Sequence, residues 1–268
     1  MERKLIFLDS FALLRIAEDP RLAALATKYI ASNQYVLVIG VMNLVEIYKW
    51  KAYWSKVSDF VASVAFCVAQ NPEKLAAAEV QNYPNPIALP VGFCSLDFSY
   101  SKGELIEAIE INLAGKITAF ERDYRNQYKS ILQEILSKRS NFLPERDGKY
   151  SQSQQWLFLR VSVFSALYPE HKKFLEGEVS NSREVKIECF KSVLIQVVAI
   201  FLEYYVQKKQ GKPSDIGDFF QLSILPYVDL AVVDNERKDL IRRINRQQLL
   251  PTDLSAVSLA DFKKMISK

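Results

Sequence analysis

Pro213 to Asp234 reads PSDIGDFFQLSILPYVDLAVVD. Pro213-Ser214-Asp215 is a helix start, with Ser214 offered as the N-cap for the free N–H groups of the next turn. Asp215 and Asp218 are three residues apart, so they share one face of that helix. Pro226 cannot continue the helix, which must end before it. Leu230-Ala231-Val232-Val233 is apolar without alternation, the mark of a strand covered on both faces. Asp234 closes it. Acids at these places also serve purely structural ends. A first-turn Asp interacts well with the helix dipole, and an Asp after a strand is common turn chemistry.

Further back, the same pattern recurs. Leu5-Ile6-Phe7-Leu8 is a short apolar run that reads as a buried strand. Asp9-Ser10 follows, then Phe11 to Ile16 at helical spacing. Residues 20–32 read as an amphipathic helix, and Tyr35 to Ile39 as a second buried strand. Gly40 breaks it, a helix begins near Met42, and Glu46 lies in an early turn. A strand-helix-strand-helix order predicts a parallel sheet with right-handed crossovers. In such sheets ligands bind in the crevice beyond the carboxyl ends of the strands. Asp9, Glu46 and Asp234 each follow a predicted strand. Asp9 can equally be a helix cap, and Glu46 alone reads as an ordinary solvated helix residue.

The alternation stops in the middle of the chain. Lys49 to Gln70 reads as one long helix carrying Trp50, Tyr53, Trp54, Phe60 and Phe66. Pro84, Pro86, Pro90 and Gly92 make Asn82 to Phe98 a loop. Glu104 to Lys138, Gln154 to Tyr168 and Arg183 to Gln207 read as helices, with a polar exposed stretch over Ser140 to Ser153. Val193 to Val206 is apolar on nearly every side, yet Gln196 and Glu203 interrupt it and it is too short to span a bilayer. The expected organisation is therefore an α/β core made of residues 1–50 and 211–268. An all-helical insertion, 51–210, packs beside it without adding a central strand.

Composition sets limits on function. The 268 residues are 49% hydrophobic and 25% charged, as in ordinary globular proteins. A net charge of +4 is compatible with a polyanionic partner. Three widely spaced cysteines argue against a disulfide scaffold and for a reducing, cytoplasmic setting. One histidine excludes any site needing two. No signal peptide or membrane span is read. Carboxylates gathered at one sheet edge repel each other unless a cation joins them. Oxygen ligands without His or Cys select Mg²⁺ or Mn²⁺, ions that support phosphoryl chemistry.

FLDSFALL, VIGVMNLVEI and SDIGDFFQLSILPYVDLAVVD, in that order, resemble the acidic motifs of the PIN (PilT N-terminus) domain nucleases. The resemblance covers roughly residues 4–50 and 212–245. It implies a Rossmann-like parallel sheet and a Mg²⁺- or Mn²⁺-dependent nuclease, usually acting on RNA. It makes Asp9, Glu46, Asp218 and Asp234 the acidic site, with Asp215 or Asp229 replacing or supplementing one of them. The gap from Glu46 to Asp218 (218 − 46 = 172 residues) is then the insertion. Arg237 and Lys238, with Arg242 and Arg243, would contact phosphates, although such a run is as readily a solvated helix face. The alternative is an inactive PIN-like scaffold that binds RNA or protein, with the helix Tyr48 to Lys56 as a candidate surface. Expected partners are RNA, with DNA, a protein partner or antitoxin, and a second copy of the chain as further candidates, and no membrane.

Overall fold

The computed structural model describes residues 4–49, 51–87, 89, 94–96, 117–138, 160, 162–174, 177, 186–250 and 253–267. Trp50, Pro251 and the Ser140 to Ser153 stretch lie outside the described residues. The chain forms two compact units. One comprises Met1–Asn71, Ala88–Ala119 and Ile224–Lys268, and the other Pro72–Ile87 and Phe120–Ser223.

The first unit is α/β. Its strands are β1 (Lys4–Leu8), β2 (Tyr35–Ile39), β3 (Phe66–Ala69), β4 (Cys94–Leu96), β5 (Leu230–Val233) and β6 (Ala256–Ser258). They form one sheet in the order β4-β3-β2-β1-β5-β6. Five of them run parallel, and β4 lies antiparallel on β3 at the edge. The helices are α1 (Ser10–Glu18), α2 (Pro20–Ser32), α3 (Val41–Lys49), α4 (Lys51–Ala62) and, after β5, α9 (Asn235–Arg246) and α10 (Leu259–Ile266); α5 to α8 lie between them in sequence and are described with the second unit.

Period-2 alternation explains the core. Ile6 and Leu8, Leu37 and Ile39, Phe66 and Val68, and Leu230 and Val232 project to one side. There they join Leu13 and Ile16 of α1, Ala26 and Ile30 of α2, and Phe262 and Ile266 of α10 in one buried cluster. The residues between them, such as Phe7, Val38, Cys67 and Ala231, are buried as well. Both faces of the central strands are covered, as their continuous apolar runs require.

Residues 51–210 are not all helical, contrary to the expectation from their sequence, but also supply two strands. β3 and β4 come from that stretch and extend the sheet beyond β2. Lys49 to Gln70 is not one helix: α4 stops at Ala62, and Phe66-Cys67-Val68-Ala69 is a strand. A short apolar run beside a helical pattern cannot be assigned by period alone. The loop expected over Asn82 to Phe98 likewise carries β4. The sheet unit therefore continues to Asn71, past the boundary expected at residue 50.

The second unit shows only helices among its described residues. They are α5 (Pro72–Asn82), α6 (Ile117–Ser137, which enters this unit at Phe120), α7 (Lys191–Ile200) and α8 (Pro213–Leu222), with a helical stretch over 162–167. α7 continues as a π-helical segment, Phe201–Val206. Every residue of α7 from Ser192 to Ile200 is buried, as its all-round apolar sequence demands. Its first turn is held by Glu79 of α5, 0% exposed, which accepts the Ser192 N–H at 2.7 Å and the Ser192 hydroxyl at 2.8 Å. No helix among the described residues is long and apolar enough to cross a membrane.

Candidate functional site

β1 and β5 are neighbours, and the chain leaves β1 toward β2 on its other side. The crevice between the carboxyl ends of β1 and β5 is thus the topological switch point, where open parallel sheets bind ligands. Asp9 follows β1 and Asp234 follows β5. Asp9 is 1% exposed. One of its oxygens accepts the Ala12 N–H at 2.7 Å, capping α1. The other reaches across the switch point and accepts the Asp234 N–H at 2.8 Å. Asp234 in turn caps α9, accepting the Arg237 N–H at 2.8 Å, with the Arg237 guanidinium 3.7 Å from its second oxygen. The Asp234 side chain keeps 41% of its surface exposed.

Burial raises the Asp9 carboxyl above its ordinary range, against the opposing pull of the Ala12 N–H and of Arg237. The nearby Asp234 charge adds to the rise. The two carboxylates therefore interact through space, while the hydrogen bond between the two residues comes from the Asp234 backbone.

Glu46 enters from α3, beyond the end of β2. The Ser10 hydroxyl donates to its carboxylate. That hydroxyl accepts from the Asn43 side-chain amide at 3.0 Å, and the Asn43 carbonyl oxygen accepts the Gly40 N–H at 3.0 Å. Asn43 is 0% exposed. A chain of hydrogen bonds thus runs from the end of β2 to Glu46 through Ser10, the residue next to Asp9. A Cβ at Gly40 would stand 2.6 Å from Ile224 Cδ1 and 2.8 Å from Asn43 Oδ1, so any larger residue must displace one of these side chains. Ser10 and Asn43 were not among the expected site residues. Asn43 lies three residues before Glu46, on the same helix face, which is the one signal the sequence holds for it.

Two of the remaining expected ligands, Asp215 and Asp229, make structural hydrogen bonds. Asp215 and Asp218 lie on α8 in the second unit. The helix starts at Pro213, with Lys212 as its N-cap, so Ser214 is inside it rather than capping it. Pro213 occupies the first helical position, where its missing N–H costs nothing. The Asp215 carboxylate accepts the Lys212 N–H at 2.9 Å and the Tyr204 hydroxyl at 3.0 Å. Burial, and then Asp215, push the Tyr204 phenol well above its usual range. Asp218 is exposed. Asp229 precedes β5, at the opposite edge from Asp234 and roughly 16 Å from it along the strand. It accepts the Leu5 N–H at 2.7 Å, a register lock between β5 and β1. Asp229 is thus excluded from the carboxyl-edge site. Lys238 is paired with Asp261 of α10, and this pairing, with the Ser258 hydroxyl, pulls the Asp261 carboxyl below its usual range.

Among the described residues no three His, Cys, Asp or Glu side chains are grouped as the ligands of a metal ion. The donors at the edge are nonetheless all hard oxygens. A Mg²⁺ ion ordinarily keeps several waters and takes only one or two carboxylates from the protein. Asp9 and Asp234 fit that requirement in chemistry and charge, and Glu46 is tied to the same edge through Ser10, the residue next to Asp9.

No family pattern, characterised protein or solved structure matches this chain. Any functional reading stands on the chain's own motifs and on the geometry of this edge.

Proposed function

We propose that the chain is a divalent-metal-dependent nuclease of PIN type, hydrolysing phosphodiester bonds in RNA. The observation that carries this reading is the pairing of Asp9 with Asp234 across the switch point of a parallel sheet. Asp9, Asp234 and Glu46 would hold hydrated Mg²⁺ or Mn²⁺. When bound, such an ion activates water and neutralises charge on the scissile phosphate. Asp9 supplies a buried charge whose cost a cation would offset. Asp234 is the carboxylate open to solvent. Ser10 and Asn43 orient Glu46. Arg237, whose guanidinium lies 3.7 Å from Asp234, would contact a phosphate beside it.

The test is cleavage of labelled RNA and DNA in Mg²⁺, in Mn²⁺ and in EDTA. Wild type should cleave only with metal, and Asp9→Asn, Asp234→Asn and Glu46→Gln should each lose about a hundredfold or more, as when a group stabilising transition-state charge is removed. Undiminished cleavage in all three variants would overturn the assignment.

A second reading has its own support. Both Asp9 oxygens already accept backbone N–H groups, so Asp9 and Asp234 are complete as structural caps. A non-cleaving PIN-like scaffold that binds RNA or protein is the function that leaves them so. Retained RNA binding without turnover by wild type in either metal selects it.

A further inference from the structure

Phe11 is out of place as a core residue. It sits in the first turn of α1, two positions after Asp9, and is 49% exposed while the adjacent Ala12 and Leu13 are 0% exposed. The Arg15 guanidinium lies over its ring, 5.4 Å from the centroid. The ring also lines a cleft of about 460 Å³ in the sheet unit, at the carboxyl ends of β5 and β6. Val233, Leu259 and Ala260 give the cleft apolar walls, Asn235 and Lys263 line its polar part, and Asp234 belongs to the same wall. Lys263 is exposed. The cleft therefore abuts the acid pair, and combines a stacking surface, amide hydrogen-bonding capacity and one cation.

We propose that this cleft binds one unpaired nucleotide of single-stranded RNA next to the scissile phosphate, its base stacked on Phe11 and its phosphate held by Lys263. This rests on the nucleic-acid reading of the acidic edge and names the substrate class for it. The chemistry is that of single-strand binding generally: an aromatic ring accepts any base face, and a cation tracks the backbone. Arg15 packs its guanidinium on the ring while pairing with Glu18 at 3.2 Å, so Lys263 is the cation the cleft offers a phosphate. A duplex keeps its bases stacked on one another, so it cannot use Phe11. The volume is in the range of pockets that take a small organic ligand, which a single base with its sugar satisfies.

The test is fluorescence anisotropy with a labelled eight-nucleotide RNA, its DNA counterpart and a blunt RNA duplex, in EDTA so that nothing is cleaved. Phe11→Ala should weaken single-strand binding about tenfold or more, and Phe11→Trp should retain it with its indole emission quenched by the oligonucleotide. Lys263→Ala should weaken binding and lower the salt slope by about one. The duplex should compete poorly. Phe11 is exposed, so these variants should fold, which unchanged melting temperatures would verify.

Wild-type affinity in both Phe11→Ala and Lys263→Ala, or equal competition by the duplex, would overturn the proposal. If in that case wild type still cleaves RNA with metal and Asp9→Asn does not, the nuclease reading survives without this cleft. If wild type never cleaves yet Phe11→Ala loses binding, the cleft stands and the nuclease reading falls.

Discussion

Burial penalises the charged form of Asp9 and raises its pKa above the ordinary 3.8. The folded protein then holds this proton more tightly than the unfolded chain does. Between the two pKa values the native state binds more protons, so stability falls as pH rises through that window. Asp9→Asn removes the titration. The stability difference between wild type and variant, read from urea midpoints at pH 4 to 7 or so, should favour wild type most at the acid end and shrink as pH rises. A difference that grows with pH would show that hydrogen bonding, not desolvation, dominates. Asn also offers only one acceptor oxygen, so either the Ala12 or the Asp234 N–H loses its partner, at about 1 to 3 kcal/mol. Asp234→Ala should cost about 1 kcal/mol through loss of the α9 cap, measured in the same way. Asp9 as a cap and Asp9 at a sheet edge were both legible from its place between Leu8 and Ser10. Its bond to the Asp234 N–H was not, because 225 residues separate them.

At the level of elements, caps and junctions are held by side chains reaching from elsewhere. Glu79 of α5 caps the start of α7, and Glu79→Ala would strand a buried N–H and a buried hydroxyl. The expected loss is about 3 kcal/mol by urea denaturation; a loss near zero would mean that the helix start has another acceptor. Gly40→Ala would push on Ile224 and Asn43 at the turn from β2 into α3. It should lower stability and also cut RNA cleavage, because Asn43 orients Ser10 and Ser10 orients Glu46. Full activity with a lowered melting temperature would show that this chain of bonds is structural only. β1, β2, β5 and α2 were readable from their runs and periods. β3 was not, since Phe66 to Ala69 follows a helix without Gly or Pro to mark the change.

At the scale of the molecule, the proposed metal links function to stability. An ion bound by the native state alone stabilises it by about 2.7 kcal/mol at a hundred times its Kd. Saturating Mn²⁺ should therefore raise the melting temperature of the transition that reports the sheet unit by about 5 °C or more, and Asp9→Asn should lose most of that gain. Equal shifts in the two proteins would remove Asp9 from the metal site. The sequence by itself determined the local chemistry: four apolar residues with no alternation must be covered on both faces, and an Asp before a helix must cap it. Those rules act over a turn or a strand, so they put acids after β1 and β5 and a Glu in α3. Tertiary structure alone decided which ends meet. Strand pairing set β5 beside β1, drew β3 and β4 into the sheet, and placed α8 with Asp215 and Asp218 in the other unit. It also brought Phe11 and Lys263, 252 residues apart (263 − 11 = 252), to one cleft. Such meetings depend on how buried faces and hydrogen-bond ladders close over the whole chain, and no local pattern of residues records them.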